Sequence, residues 1–140
     1  MAINFFSEDI SFKLSDKKKI KNWIKDLIEK YSYRVGDINY IFTSEDKILE
    51  INNQYLNHNY FTDIITFPYT DGQIISADIF ISIPTVQSNA ESFNESFLNE
   101  LNRVIVHGVL HLIGFNDNTE TENKRMREQE NHWLSILKSY

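Results

Sequence analysis

Apolar positions recur with two different periods along this chain. In the first half they alternate in short runs, and in the second half they return every three or four residues. Residues 3–6 and 10–14 alternate or run apolar, which predicts a strand and its continuation. Ser15 or Asp16 can cap a helix over about 16–31 whose buried stripe is Ile20, Trp23, Ile24, Leu27 and Ile28. Residues 37–42 read as a strand, and Ser44 then opens a short helix through Ile48, Leu49 and Ile51. Residues 52–61, polar and rich in asparagine, read as a loop. Ile64-Ile65-Thr66-Phe67 is β-branched and aromatic, and Pro68 closes it. Asp71-Gly72 marks a turn, followed by strand residues at 74–75 and 77–82. From Pro84 onward the pattern predicts helices over about 84–92, 95–113 and 119–138. The expectation is a single α+β domain over residues 1–140. It has a small mixed sheet of about four strands, helices packed on it, and the site chemistry on a helix of the C-terminal half.

Composition narrows the class. Apolar residues make up 41% of the 140 residues and aromatics 14%, a globular balance that excludes a disordered chain. There is no cysteine, which excludes disulfides and thiolate metal sites and fits a reducing compartment. No run of about 18 apolar residues is present to span a membrane. The N-terminal residues lack the basic start and apolar core of a signal peptide, so a cytoplasmic location is expected. Fourteen basic and twenty acidic residues give a net charge of −6, which argues against broad nonspecific nucleic-acid binding. The cations nevertheless cluster, with Lys13, Lys17, Lys18, Lys19, Lys21, Lys25 and Lys30 near one end and Lys124, Arg125 and Arg127 near the other.

The candidate chemistry lies in residues 107–117, His-Gly-Val-Leu-His-Leu-Ile-Gly-Phe-Asn-Asp. On a helix, His107 and His111 share one face a turn apart, so both imidazoles can reach one ion. Gly114 suits the left-handed residue that commonly ends a helix, after which the chain can turn back and bring Asp117 to the same point. Two imidazoles and a carboxylate leave the fourth tetrahedral position open, as in a catalytic zinc site. The surrounding residues are apolar, and buried imidazoles need partners. The alternative is a pair of core histidines bonded to backbone carbonyls. Zinc peptidases carry a glutamate directly after the first histidine as general base, and here that position is Gly108.

Other polar residues offer less. Glu100 lies about two helical turns before His107 and is a candidate base, although an exposed helix carboxylate is the simpler reading. His58 and His132 read as surface histidines, and Asp63 as a turn or capping residue. Asp78 sits inside an apolar strand, where it must find donors and can shape the site from behind.

Three stretches together resemble the YbeY family, the bacterial endoribonucleases of ribosomal RNA maturation. The family's hallmark, His-Gly-x-Leu-His-Leu-x-Gly-Tyr-Asp-His, is matched at His107, Gly108, Leu110, His111, Leu112 and Gly114, with Phe115 for tyrosine. Pro-Thr-Asp-Val-Leu-Ser-Phe-Pro corresponds to residues 61–68, and Gly-Asp-Ile-x-Ile-Ser to residues 77–82. Two departures stand out. Asp117 occupies the position of the last hallmark histidine, and Leu56 that of an arginine implicated in RNA handling. The resemblance implies one zinc ion held by His107, His111 and Asp117, with the two histidines catalytic. It further implies single-stranded RNA, not DNA, as substrate, and work on small-subunit ribosomal RNA alongside the subunit and its proteins. A metallopeptidase-like hydrolase and a non-catalytic assembly factor with a zinc site remain the alternatives at this point.

Overall fold

A computed structural model describes residues 2–56 and 62–140. In chain order the elements are β1 (Ala2–Ser7), α1 (Lys17–Lys30), β2 (Arg34–Thr43), α2 (Glu45–Leu56), β3 (Ile64–Pro68), β4 (Ile74–Ser82), α3 (Ile83–Ser92), α4 (Phe97–Leu112) and α5 (Glu120–Leu137). The strands form one mixed sheet in the order β1-β2-β4-β3. β1 and β4 both pair parallel with β2, which requires crossovers, and α1 and the α2–β3 unit supply them. β3 runs antiparallel to β4, so a tight turn suffices between them. There Asp71 and Ile74 exchange backbone hydrogen bonds of 3.1 and 3.0 Å around Gly72.

Alternation along β2 and β4 divides the core. Ile38, Tyr40 and Phe42, with Ala77, Ile79 and Ile81, belong to the main cluster shared with α1, α4 and α5. The opposite face carries a smaller cluster of Ile48, Ile51 and Ile65, packed by Phe67 and Phe80 beneath α2. The expected stripe of α1, from Ile20 to Ile28, is the stripe that is buried. Each of these side chains contributes about 2 kcal/mol by leaving water. Trp23 also donates from Nε1 to the Trp133 carbonyl at 2.9 Å, tying α1 to α5.

Three expectations need adjustment. Residues 10–14 do not continue β1. After Glu8 bonds to the Phe42 carbonyl, Asp9 takes a φ of 61° and the chain leaves the sheet. The apolar residues that follow act as plugs instead. Leu14 is buried, and Phe12 packs edge-on against Phe42 and Phe97. At the start of α1, Asp16 has a φ of 57° and its side chain makes no capping bond. Finally, α2 runs on through the asparagines to Leu56. Asn52 is buried on its inner side, and the Tyr55 ring meets Phe67 edge-on at 5.9 Å. Tertiary contacts here outweigh the low helix propensity of asparagine.

The placement of α4 decides what the molecule can do. Ser96 caps it by accepting from the Asn99 amide at 3.1 Å. At Gly108 a Cβ would stand 3.0 Å from Ile64 Cδ1 and 3.5 Å from the Ile79 side chain, so glycine allows α4 to lie close on β3 and β4. One turn of the same helix is thereby fixed over the start of β3. Among the described residues no helix is long and apolar enough to cross a membrane.

Candidate metal centre

The end of α4 folds in a way its sequence foretells. The Phe115 amide bonds to the Leu110 carbonyl at 3.0 Å and the Gly114 amide to the His111 carbonyl at 3.1 Å. This crossed pair is a Schellman ending, with Gly114 at a φ of 108° in the position that disfavours any Cβ. Five residues later a capping box starts α5. Thr119 accepts from the Glu122 amide at 3.1 Å, and Glu122 accepts from the amides of Asn118 and Thr119, each at 3.1 Å. The loop between the two helices is therefore pinned at both ends, with Asp117 in the middle of the span.

That loop brings Asp117 back onto α4. Asp117 Oδ2 lies 3.4 Å from His107 Nε2 and 3.3 Å from His111 Nε2. One ligand atom from each of the three residues falls within 4.8 Å of the others, and all three side chains are partly open to solvent. Two imidazole nitrogens and one carboxylate oxygen are donors suited to zinc and similar ions. The group could hold a metal ion.

A cleft of about 700 Å³ opens beside the group, lined by Asn52, Thr62, Asp63, residues 64–66, Pro68, Thr70 and Leu112. A smaller pocket of about 310 Å³ adjoins it. Asp63, Ile64, His107 and Asp117 border both. The smaller pocket is a charge cluster. Glu130 Oε2 lies 2.7 Å from His107 Nδ1. Its other oxygen takes Arg103 Nη1 at 3.0 Å and stands 3.6 Å from Arg127 Nη1. Arg103 Nε also lies 4.0 Å from Glu100.

Charge and burial compete throughout this cluster. Burial pushes the Glu130 carboxyl up, but its bond to His107 and the charges of His107, Arg103 and Arg127 bring it below the usual glutamate range. For His107, burial alone would lower its proton affinity. Glu130, then Asp117 and Asp63, outweigh that and leave it raised. Burial also raises the carboxyls of Asp63 and Glu100, partly offset by His107 and Arg103 respectively.

Other sequence candidates fall as follows. Glu100 is buried at 4% exposure and faces the smaller pocket, so it is not the exposed carboxylate of the simpler reading. Asp63 precedes β3, its carbonyl accepts from the Ser82 amide at the end of β4, and its side chain borders both cavities. Asp78 finds its donors in Asn39 at 3.0 Å and Tyr69 at 3.2 Å. Its strand neighbour Ile79 faces α4, so Asp78 lies on the other side of the sheet and does not back the site. His132 is exposed. His58 lies outside the described residues. Sequence reasoning missed Glu130 and Arg103. Glu130 had a signal, since it occupies the apolar stripe of α5 between Met126 and Trp133, where a carboxylate needs a partner.

The geometry also bears on the peptidase alternative. Any side chain at position 108 would start with its Cβ tight against Ile64 and in contact with Ile79. That helix position faces the sheet.

A family model described as Endoribonuclease YbeY matches residues 3–138. The chain belongs to the YbeY family. Among curated family members, one from Parabacteroides distasonis is 52% identical over 137 residues, covering 98% of this chain and 96% of its own. Another from Phocaeicola vulgatus is 49% identical over 135 residues, covering 96% and 98%. Both are named Endoribonuclease YbeY. A solution structure of a Thermotoga maritima protein superposes with a TM-score of 0.69 at 28% identity, covering 97% of this chain and 89% of that one. The YbeY fold of this chain thus carries its histidine pair near the end of α4 and its returning carboxylate in the loop before α5.

Proposed function

We propose that this protein is a zinc-dependent endoribonuclease that cuts single-stranded RNA in the processing and quality control of small-subunit ribosomal RNA. The observation that carries this reading is the convergence of His107 Nε2 and His111 Nε2 on Asp117 Oδ2 at the mouth of the cleft, in a chain of the YbeY family. His107, His111 and Asp117 hold the ion, and the two histidines are the catalytic pair. When bound there, zinc supplies Lewis-acid polarisation of a phosphoryl oxygen and a more acidic water. Thr62, Thr66 and Thr70 line the cleft, and threonine hydroxyls suit phosphate oxygens and ribose hydroxyls. Asp63, whose proton affinity burial raises, is the carboxyl of the cleft wall best suited to take up and return a proton. The partner that presents the substrate is the small ribosomal subunit or its proteins.

The test uses one preparation on labelled single-stranded RNA, duplex RNA and casein, with metal content measured alongside. Cleavage of the single strand alone is expected. It should be lost with a chelator, restored by zinc, and absent in His107→Ala and His111→Ala. Undiminished cleavage in those variants overturns the proposal, and casein hydrolysis that depends on the same histidines replaces it with a peptidase.

A further inference from the structure

We infer that Glu130 is a positioning residue of the metal site. It accepts the Nδ1 proton of His107 and so keeps the lone pair of that imidazole at Nε2, the atom that faces His111 and Asp117. This rests on the metal-site reading above. A neutral imidazole carries one proton, and the nitrogen that ligates must be the bare one. An ionised carboxylate can only accept, so the 2.7 Å contact with Glu130 Oε2 places the proton on Nδ1. Nε2 then points unprotonated toward Asp117, 3.4 Å away.

Glu130 is itself held in place. It is 5% exposed, a depth at which an unpaired carboxylate would be costly. Arg103 on α4 closes the arrangement from the side at 3.0 Å. Ring orientation on α4 is thereby set from α5, 23 residues further along the chain. The competing view makes Glu130 only a clamp between the two helices through Arg103. Such a clamp would affect stability but would leave the tautomer of His107 unchanged.

The experiment reads both properties. Multiple-bond proton–nitrogen correlation spectra of the zinc-free protein, recorded where its imidazoles are neutral, report which nitrogen of His107 is protonated. Wild type should show the Nδ1–H form. Glu130→Gln, whose amide oxygen can still accept, should largely keep it. Glu130→Leu should shift it toward the Nε2–H form that free histidine favours. Zinc affinity, measured by competition with a chelating dye, should fall roughly 10–100-fold in Glu130→Leu and less in Glu130→Gln. A folded Glu130→Leu that keeps the Nδ1–H form and binds zinc as wild type does would overturn the inference. So would an Nε2–H signal from wild-type His107, which needs no variant to fold. Failure of the wild-type protein to bind zinc at all would instead overturn the metal reading beneath it.

Discussion

Tyr40 donates its hydroxyl proton to the backbone carbonyl of Ile105, 3.0 Å away. The bond joins the central strand to α4 two residues before His107, and it is fully buried. Burial alone pushes the Tyr40 hydroxyl far above its usual titration, so it stays a donor. Tyr40→Phe should cost about 1 kcal/mol, because the Ile105 carbonyl keeps its place in the helix ladder. Denaturant unfolding of both proteins measures this. Zinc content should stay the same, and a loss of zinc would show that the bond also sets the position of His107.

Asp117 should be replaceable by one residue type and not by another. Asp117→His should keep zinc, since family members carry histidine there and zinc accepts either donor. Asp117→Ala should weaken binding by more than the roughly 10–100-fold that loss of an outer partner costs. Elemental analysis and chelator competition distinguish the two variants. An alanine variant with wild-type affinity would remove Asp117 from the ligand set.

Gly114 links stability to the site. No atom lies near enough to block a Cβ there, so the penalty of Gly114→Ala is conformational, from a φ of 108°. About 1 kcal/mol or more of stability should be lost. Relaxation of the helix ending would also displace Asp117, so zinc affinity should fall with it. A destabilised variant with unchanged affinity would show that the capping box at Thr119 is enough to hold the loop.

If His107 holds zinc as proposed, its raised proton affinity should make zinc binding sensitive to pH. Zinc needs the neutral imidazole, so protons compete with it below the raised value. Apparent affinity should decline as pH falls through the raised value and level off above it. In the zinc-free protein the sign is reversed. The same shift stabilises the fold at low pH, and that contribution is lost as pH rises through the raised value. Chelator competition as a function of pH checks the first statement, and a flat profile contradicts it.

Position 56 tests the substrate contact that the family resemblance implies. Leucine there cannot pair with a phosphate, whereas the arginine of the family can do so through two parallel bonds. Leu56→Arg should raise kcat/KM on single-stranded RNA by roughly tenfold with zinc content unchanged. A folded, zinc-loaded variant that cleaves no faster would show that the missing guanidinium is already compensated.

Much of this architecture was legible because it is written locally. The stripe of α1, the spacing of His107 and His111, and the glycine that ends α4 each depend on residues a few positions apart. The run at 10–14 misled because alternation marks burial on one side and does not require a strand partner. Asparagines at 52 and 53 concealed the second half of α2, which packing against β3 supports. The cluster of Glu100, Arg103, Arg127 and Glu130 was out of reach for a different reason. Its members sit on two helices, and only their packing brings the charges together.

The closeness of α4 to the sheet at Gly108 bears on how such sites diverge. A peptidase base after the first histidine is one substitution away in the sequence, but at this position its side chain would enter the helix–sheet interface. A side chain there needs Ile64 and Ile79 to give way before it can be accommodated. The packing of α4 on the sheet at Gly108 thus limits which side chain can follow His107, whatever chemistry the site performs.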